Sequence, residues 1–182
     1  MNAREPIIIL VTGVMAAGKS TVSQLLAEAS PSSVHMRGDI FRRMIVRGRA
    51  EPEPQLSNAA RAQLTLRYRL ASAAARGYWQ AGFSVVYQDI VLEDDLLDVA
   101  ALLAGTPLHI VVLCPSAQAV FKREAERVKR GYGGGWTVDA LQDSLRRTPR
   151  LGFWLDTSDL TPAQSVAAIW QRLSEARLSP LP

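Results

Sequence analysis

Gly13-Val14-Met15-Ala16-Ala17-Gly18-Lys19-Ser20 spaces two glycines, a lysine and a hydroxyl in the pattern G-x-x-x-x-G-K-[ST]. Residues of these types at this spacing can hold phosphates. Glycines let a loop take positive dihedrals and bring backbone N–H groups against phosphate oxygens. A helix that follows points its positive end at the same anion. Lys19 is placed to reach the β- and γ-phosphates, and Ser20 to offer its hydroxyl to Mg²⁺. The candidate nucleotide-binding residues are Gly13, Ala16, Ala17, Gly18, Lys19, Ser20 and Thr21, with Thr21 read as a first-turn helix residue. Without ligand, such a lysine is expected to face solvent. The competing reading is a chance glycine turn. The flanks argue against it, because the match lies between a β-branched apolar run and a helical pattern, as the motif requires.

Two further stretches carry charge in informative places. In residues 34–42 (VHMRGDIFR) a strand-like run ends and Asp39 stands three residues before Arg42. Phosphoryl transfer depends on positioning and charge neutralisation, with a carboxylate to hold the attacking hydroxyl, and Asp39 is the candidate. Its bland alternative is to cap the next helix. In residues 122–135 (KREAERVKRGYGGG), Arg123 and Arg127 are four apart and share one helix face. Glu124 and Glu126 offer these arginines an ordinary surface pairing instead. The glycines of residues 131–135 lead one to expect the most flexible stretch of the chain there.

Composition bounds the rest. The chain has 182 residues, 48% hydrophobic and 21% charged, which suits one globular domain. The longest apolar run is strand-sized, so no membrane span is expected, and the N-terminus lacks a signal-peptide pattern. Cys114 is the single cysteine, which excludes an internal disulfide and favours a reducing cytoplasm. Net charge is +4, gathered in two basic clusters around residues 37–49 and 122–130. Such clusters suit nucleic acid or small anions; with 7% aromatics and no stacking pattern, small phosphates are favoured over nucleic acid. Only Asn2 and Asn58 are available for a guanine-reading Asn-Lys-x-Asp pattern, and neither fits, so the expected nucleotide is ATP with Mg²⁺.

The elements that must position these residues alternate. Strands are expected at residues 7–12, 34–36, 83–87, 108–113 and 153–155. Helices are expected at 18–29, 39–47, 56–81, 93–104, 116–130, 137–147 and 161–176. The last has a strong start in Thr161-Pro162-Ala163-Gln164. Glu93, Asp94, Asp95 and Asp98 read as a solvated helix face. The alternation predicts an α/β fold, a five-stranded parallel sheet with helices on both faces, whose ligands sit at the carboxyl ends of the strands.

With these motifs in order, the sequence resembles the P-loop small-molecule kinases. Gly38-Asp39-x-x-Arg42 looks most like the chloramphenicol-phosphotransferase-like and zeta-toxin-like members. The resemblance implies that Asp39 accepts the proton of the substrate hydroxyl and that Arg42 orients a polar or anionic acceptor. Residues 85–89 (VVYQD) resemble a third strand ending in a Walker-B-like acid, so Asp89 would bind Mg²⁺ through water or bind substrate; a strand-capping turn is its alternative. The stretch around Arg123 and Arg127 resembles the LID of these kinases, here near 123–147 of a single domain spanning 1–182. Such arginines would close on the triphosphate and stabilise transition-state charge. Residues 153–158 look like the last strand and adenine-side loop. The region from Arg47 to Arg76 matches no acceptor signature.

The reading is an ATP-dependent phosphotransferase acting on a hydroxyl of a small molecule such as an antibiotic, sugar or nucleoside. Its alternatives are a nucleoside monophosphate kinase, favoured if Arg42 and a companion such as Arg69 bind a phosphate, a polynucleotide-end kinase, and a nucleotide-dependent regulatory or toxin-like module.

Overall fold

The computed structural model describes residues 5–51, 53–126, 132 and 135–178. β1 (Ile8–Gly13) and β4 (Leu108–Leu113) are buried at every position. This is why neither sequence alternates polar with apolar residues: helices cover both faces. Each fully buried Ile or Leu there contributes roughly 1.5–3 kcal/mol. β2 (Ser33–Arg37), β3 (Ser84–Gln88) and β5 (Phe153–Leu155) complete the sheet. Every pairing is parallel and the order is β2-β3-β1-β4-β5. The expected five-stranded parallel α/β sheet is the architecture found. The neighbouring strands β1 and β3 send their connections in opposite directions, one towards β2 and the other towards β4. Such a reversal opens a crevice beyond the strands' carboxyl ends.

The helices are α1 (Lys19–Glu28), α2 (Asp39–Arg43), α3 (Asn58–Gln80), α4 (Asp95–Leu102), α5 (Ala117–Ala125), α6 (Val138–Arg147), α7 (Pro162–Gln171) and α8 (Leu173–Ala176). Ser57, Ser116, Thr137 and Thr161 cap α3, α5, α6 and α7 through their side chains, the last as a full capping box with Gln164. These caps satisfy N–H groups that a helix start leaves without partners. Among the described residues no helix is long and apolar enough to cross a membrane.

Three helices differ from expectation for local reasons. α2 stops at Arg43, not residue 47. The chain beyond it is drawn towards α3, where the Gln63 amide donates to the Gly48 carbonyl (2.7 Å) and accepts from the Ala50 N–H (2.9 Å). α4 starts at Asp95 because Glu93 has φ 54°, outside the helical region, and its N–H donates to Thr148 Oγ1 at 2.8 Å. The last helix breaks at Arg172 (φ −114°, ψ 24°) into α7 and α8. The expected helix through 130 is seen as α5, and residues 127–130 lie outside the described residues.

The rotation of α3 matters most for the site, because it decides which of its arginines face inward. Three contacts set it against the β3–α4 connection and α4. The Tyr68 hydroxyl donates to the Ile90 carbonyl (2.9 Å), Arg61 pairs with Asp95 (2.8 Å), and Arg76 Nε donates to the Leu102 carbonyl (2.9 Å). Asp95 is thus half-buried and paired, not part of a solvated face, and burial raises its carboxyl above the ordinary value. Glu93, from the same expected face, accepts from Arg147 at 2.6 Å.

Candidate active site

The loop between β1 and α1 is shaped mainly by its backbone. Gly13 has φ 141°, and a Cβ there would lie 2.3 Å from the Leu113 carbonyl oxygen. The chain leaves β1 hard against β4, and only glycine fits. Ala16 (φ 60°) and Gly18 (φ 92°) then take left-handed conformations that turn the loop back on itself. Thr12 anchors it from beneath: its hydroxyl donates to the Val91 carbonyl (2.7 Å) and accepts from the Val91 N–H (2.9 Å). α1 begins at Lys19 with no side-chain cap. Its first-turn N–H groups therefore keep their need for a partner, and the positive end of its dipole meets the crevice. That combination fits a phosphate group.

Lys19 does not face solvent as the sequence suggested. Its ammonium donates to the carbonyls of Gly13 (2.9 Å) and Val14 (2.7 Å), folded over the loop. Ser20 and Thr21 are exposed on the crevice, and the Ser20 hydroxyl fits a magnesium ligand. On the far side the Arg123 guanidinium donates to the carbonyls of Ala17 (3.5 Å), Thr157 and Ser158 (3.4 Å), and to Thr157 Oγ1 (3.3 Å). Arg123 thereby staples the loop to the β5–α7 connection. That connection is itself shaped by Asp156, which accepts from the Ser158 N–H (2.8 Å) and hydroxyl (2.5 Å). These bonds hold its carboxyl below the ordinary value. The Tyr132 hydroxyl donates to the Met15 carbonyl at 3.0 Å.

A cavity of about 730 Å³ opens beside this loop, and its opposite wall is built from side chains of β2, α2, α3 and β3. Arg37, Asp39, Arg42, Arg43, Arg67 and Asp89 carry its charge. Asp39 opens α2 but makes no capping bond. Its carboxylate accepts from Arg43 (2.5 Å) and lies 3.4 Å from Arg37 Nε. Arg42 donates to the Ala50 carbonyl and to Glu51 Oε2, both at 3.0 Å.

Deepest in this wall is the Arg67–Asp89 pair. Asp89 is 4% exposed. Its Oδ2 accepts from Arg67 Nε (2.8 Å) and the Tyr87 hydroxyl (3.3 Å). Its Oδ1 accepts from the Ile90 N–H (2.7 Å) and pairs with a second Arg67 nitrogen. Both oxygens of Asp89 are engaged within the protein, and the carboxylate holds Arg67 in place while still lining the cavity. Gly38 leaves the room this needs. A Cβ there would lie 1.9 Å from Asp89 Oδ2 and 2.6 Å from Cγ, while its φ of −62° is ordinary. Space, not dihedral freedom, requires glycine. Burial pushes the Arg67 guanidinium below its ordinary value; Arg42 adds to this and Asp39 opposes it.

The structure therefore brings Ala16, Ala17, Gly18, Lys19, Ser20, Thr21, Asp39, Arg42, Asp89 and Arg123 to one cavity, with Gly13 beneath it. Arg127 lies outside the described residues. Arg69, offered as a possible companion of Arg42, is exposed and does not line this cavity, whereas Arg67 does. Sequence reading missed Arg67, yet a signal existed. It falls on the inward stripe of α3 marked by Ala60, Leu64, Ala71 and Ala75, where a charged residue needs a buried partner.

A model of the AAA domain family matches residues 8–149. The UPF0200 protein of Aeropyrum pernix is 38% identical over 166 residues, covering 87% of this chain and 84% of that protein. Among solved structures, a sugar kinase from Janibacter sp. HTCC2649 is similar with a TM-score of 0.66 at 21% identity, covering 94% of this chain and 96% of that one. A gluconokinase from Sinorhizobium meliloti 1021 has a TM-score of 0.63 at 21% identity, with 94% and 93% covered. At these identities the two kinases share the fold of this chain.

Proposed function

The chain belongs to the AAA domain family, with a UPF0200 relative, and on that premise we propose that it is an ATP-dependent phosphotransferase acting on a hydroxyl of a small molecule. One observation carries the reading: a single cavity lined both by a phosphate-shaped loop and by the Asp39 carboxylate among arginines. That is the layout a two-substrate transfer requires, and kinases of the same fold support it. The placement of Asp39 and Arg42 on the cavity also supports the finer likeness to the chloramphenicol-phosphotransferase-like and zeta-toxin-like enzymes.

Each residue then has a task. ATP supplies the transferable phosphoryl group and arrives with magnesium. The loop N–H groups and the start of α1 bind its phosphates, and Lys19 exchanges the Gly13 and Val14 carbonyls for phosphate oxygens. Ser20 holds the metal. Asp39 orients the acceptor hydroxyl and takes its proton, and Arg42 faces the acceptor. Arg123 sets the loop against Thr157. The LID of the single domain is placed near 123–147, and of its described residues Tyr132 bonds to the Met15 carbonyl of the loop. The acceptor is a free small molecule in the cytoplasm, not nucleic acid or a membrane.

Incubation with γ-labelled ATP, Mg²⁺ and panels of hydroxyl compounds, monophosphates and 5′-hydroxyl oligonucleotides tests this. Label on a small hydroxyl compound is the expected result. Label only on monophosphates would convert the enzyme to a nucleoside monophosphate kinase, and tight ATP binding with no transfer to any panel would leave the regulatory module.

A further inference from the structure

The acceptor wall carries more positive charge than its own partners need. Arg37, Arg42, Arg43 and Arg67 line it, against the carboxylates of Asp39 and Asp89. Asp39 is shared by Arg37 and Arg43. Asp89 is consumed by Arg67. Arg42, a neighbour in the same wall, leans on a carbonyl and on Glu51, whose side chain is 70% exposed. An ion pair that exposed is worth about 0–1 kcal/mol and is readily given up.

Arg67 is the informative member. Its side chain is 14% exposed, and it still borders the cavity. Burying a guanidinium is costly unless it is paired and hydrogen-bonded. Asp89 supplies that pairing with both oxygens, Tyr87 and the Ile90 N–H complete the carboxylate's bonds, and Gly38 makes room for it. Four residues, Asp89, Tyr87, Ile90 and Gly38, thus hold one planar cation in place. Among the described residues Asp89 engages Arg67 through Nε and one terminal nitrogen. A guanidinium has five N–H donors in a rigid fork, so these two contacts leave three.

We infer that the acceptor is itself an anion, a small hydroxyl compound whose carboxylate or phosphate docks between Arg67 and Arg42 and so turns its hydroxyl towards Asp39. This rests on the phosphotransfer reading above. The oxo-anion forms charge-assisted bonds to the two guanidiniums, one of them prealigned by Asp89. The hydroxyl oxygen bonds to the γ-phosphorus as the β–γ bridging bond breaks. ADP leaves, and the hydroxyl proton passes to the Asp39 carboxylate and then to water. A neutral sugar would leave the excess charge of this wall desolvated without compensation. Asp89 is a positioning residue: it acts through Arg67 and touches no substrate.

Anion binding is read first, by thermal shift, with inorganic phosphate against chloride at equal ionic strength. The protein is loaded with a non-hydrolysable ATP analogue and Mg²⁺, so that the nucleotide loop is filled. Phosphate should raise Tm in the wild type and in Arg69→Met, an exposed change on the same helix. The rise should vanish in Arg67→Met and in Arg42→Met, the second of which leaves the Asp89 pair intact should the first fail to fold. No rise over chloride, or a rise that survives both substitutions, overturns the inference. Acceptor pairs are read next: D-gluconate against D-glucose, and glycerol 3-phosphate against glycerol. The charged member should be favoured by at least about 100-fold in kcat/KM, since a site built to bond a group discriminates strongly against its absence. The two pairs separate carboxylate from phosphate, and equal use of a neutral partner overturns the inference. Failure of the ATP analogue to bind in calorimetry defeats the phosphotransfer reading instead. The phosphate shift and its loss in the arginine variants, measured without nucleotide, then still decide the anion site.

Discussion

The two ends of the cavity are made of different material. At the nucleotide end, Gly13, Ala16 and Gly18 aim backbone groups, and all of them lie within six residues. At the acceptor end, side chains from β2, α2, α3 and β3 converge, and the central pair joins Arg67 to Asp89 across 22 residues of sequence. The first end is an object of local chain geometry. The second exists only after the sheet has formed and α3 has docked. A backbone-built site tolerates side-chain change at most of its positions, whereas a side-chain-built site can be retuned one residue at a time.

Lys19→Ala probes the first end and should have the largest effect. It removes the lysine charge proposed to reach the transferring group, so transfer should fall about 10²–10³-fold, or about 2.7–4 kcal/mol of barrier. The Gly13 and Val14 carbonyls regain water in its place, so the thermal midpoint should change little. Near-normal turnover in steady-state assays would remove Lys19 from the phosphate site.

Asp39→Asn probes the second end. It keeps the shape and one acceptor oxygen while removing the charge that faces the acceptor. Transfer should drop about 10²-fold, with ATP affinity by calorimetry close to wild type. An equal loss of ATP binding would mean that the two ends are one electrostatic unit, and the comparison would break.

Gly38→Ala tests how the second end is mounted. Its Cβ would fall 1.9 Å from Asp89 Oδ2, so either the β2–α2 corner or the Asp89 carboxylate must move. Overpacking of this kind costs about 1–3 kcal/mol. The thermal midpoint should drop, and acceptor KM should worsen more than ATP affinity, because Arg67 moves with Asp89. Parallel loss at both ends would show that the corner supports the whole crevice.

The same contrast explains what could be read from sequence. The five strands and the loop from Gly13 to Ser20 were legible because periodicity and contiguous spacing encode them. Asp39 and Arg42 were legible because they follow a strand end that topology carries to the crevice. Arg67 was not, since α3 bears several arginines and the choice among 61, 67, 69 and 76 depends on helix rotation set by Tyr68 and Asp95. Asp89 was found but its pairing with Arg67 was not, because a strand-end acid looks the same in sequence whether or not a distant guanidinium lies beside it. Gly38 was noted as a motif letter. Its need for space becomes visible only when Asp89 lies beside it.

The smallest expected effect concerns the seam between the ends. His35 lies on β2, next to the acceptor wall, and its Nδ1 is 2.7 Å from Gln24 Oε1 on α1, the helix of the nucleotide end. Burial, with the positive charge of Arg37, holds the imidazole below its ordinary value of 6.5. The unfolded chain therefore binds a proton more readily than the folded one, and the sign follows: the stability His35 contributes is complete above about pH 6.5 and is lost as pH falls through the folded value. His109, the other histidine, is depressed by burial in the same direction and lies on β4 near Arg177. Both should make Tm drift downward between pH 7.5 and 5.5. His35→Gln keeps a hydrogen-bonding group towards Gln24 and removes one of the two titrations, so its drift should be shallower than that of the wild type. Identical slopes in differential scanning fluorimetry would show that protonation at the seam is not coupled to folding. A steeper slope in ATP affinity than in Tm would show instead that the added charge is felt mainly by the nucleotide end, through Gln24 and α1.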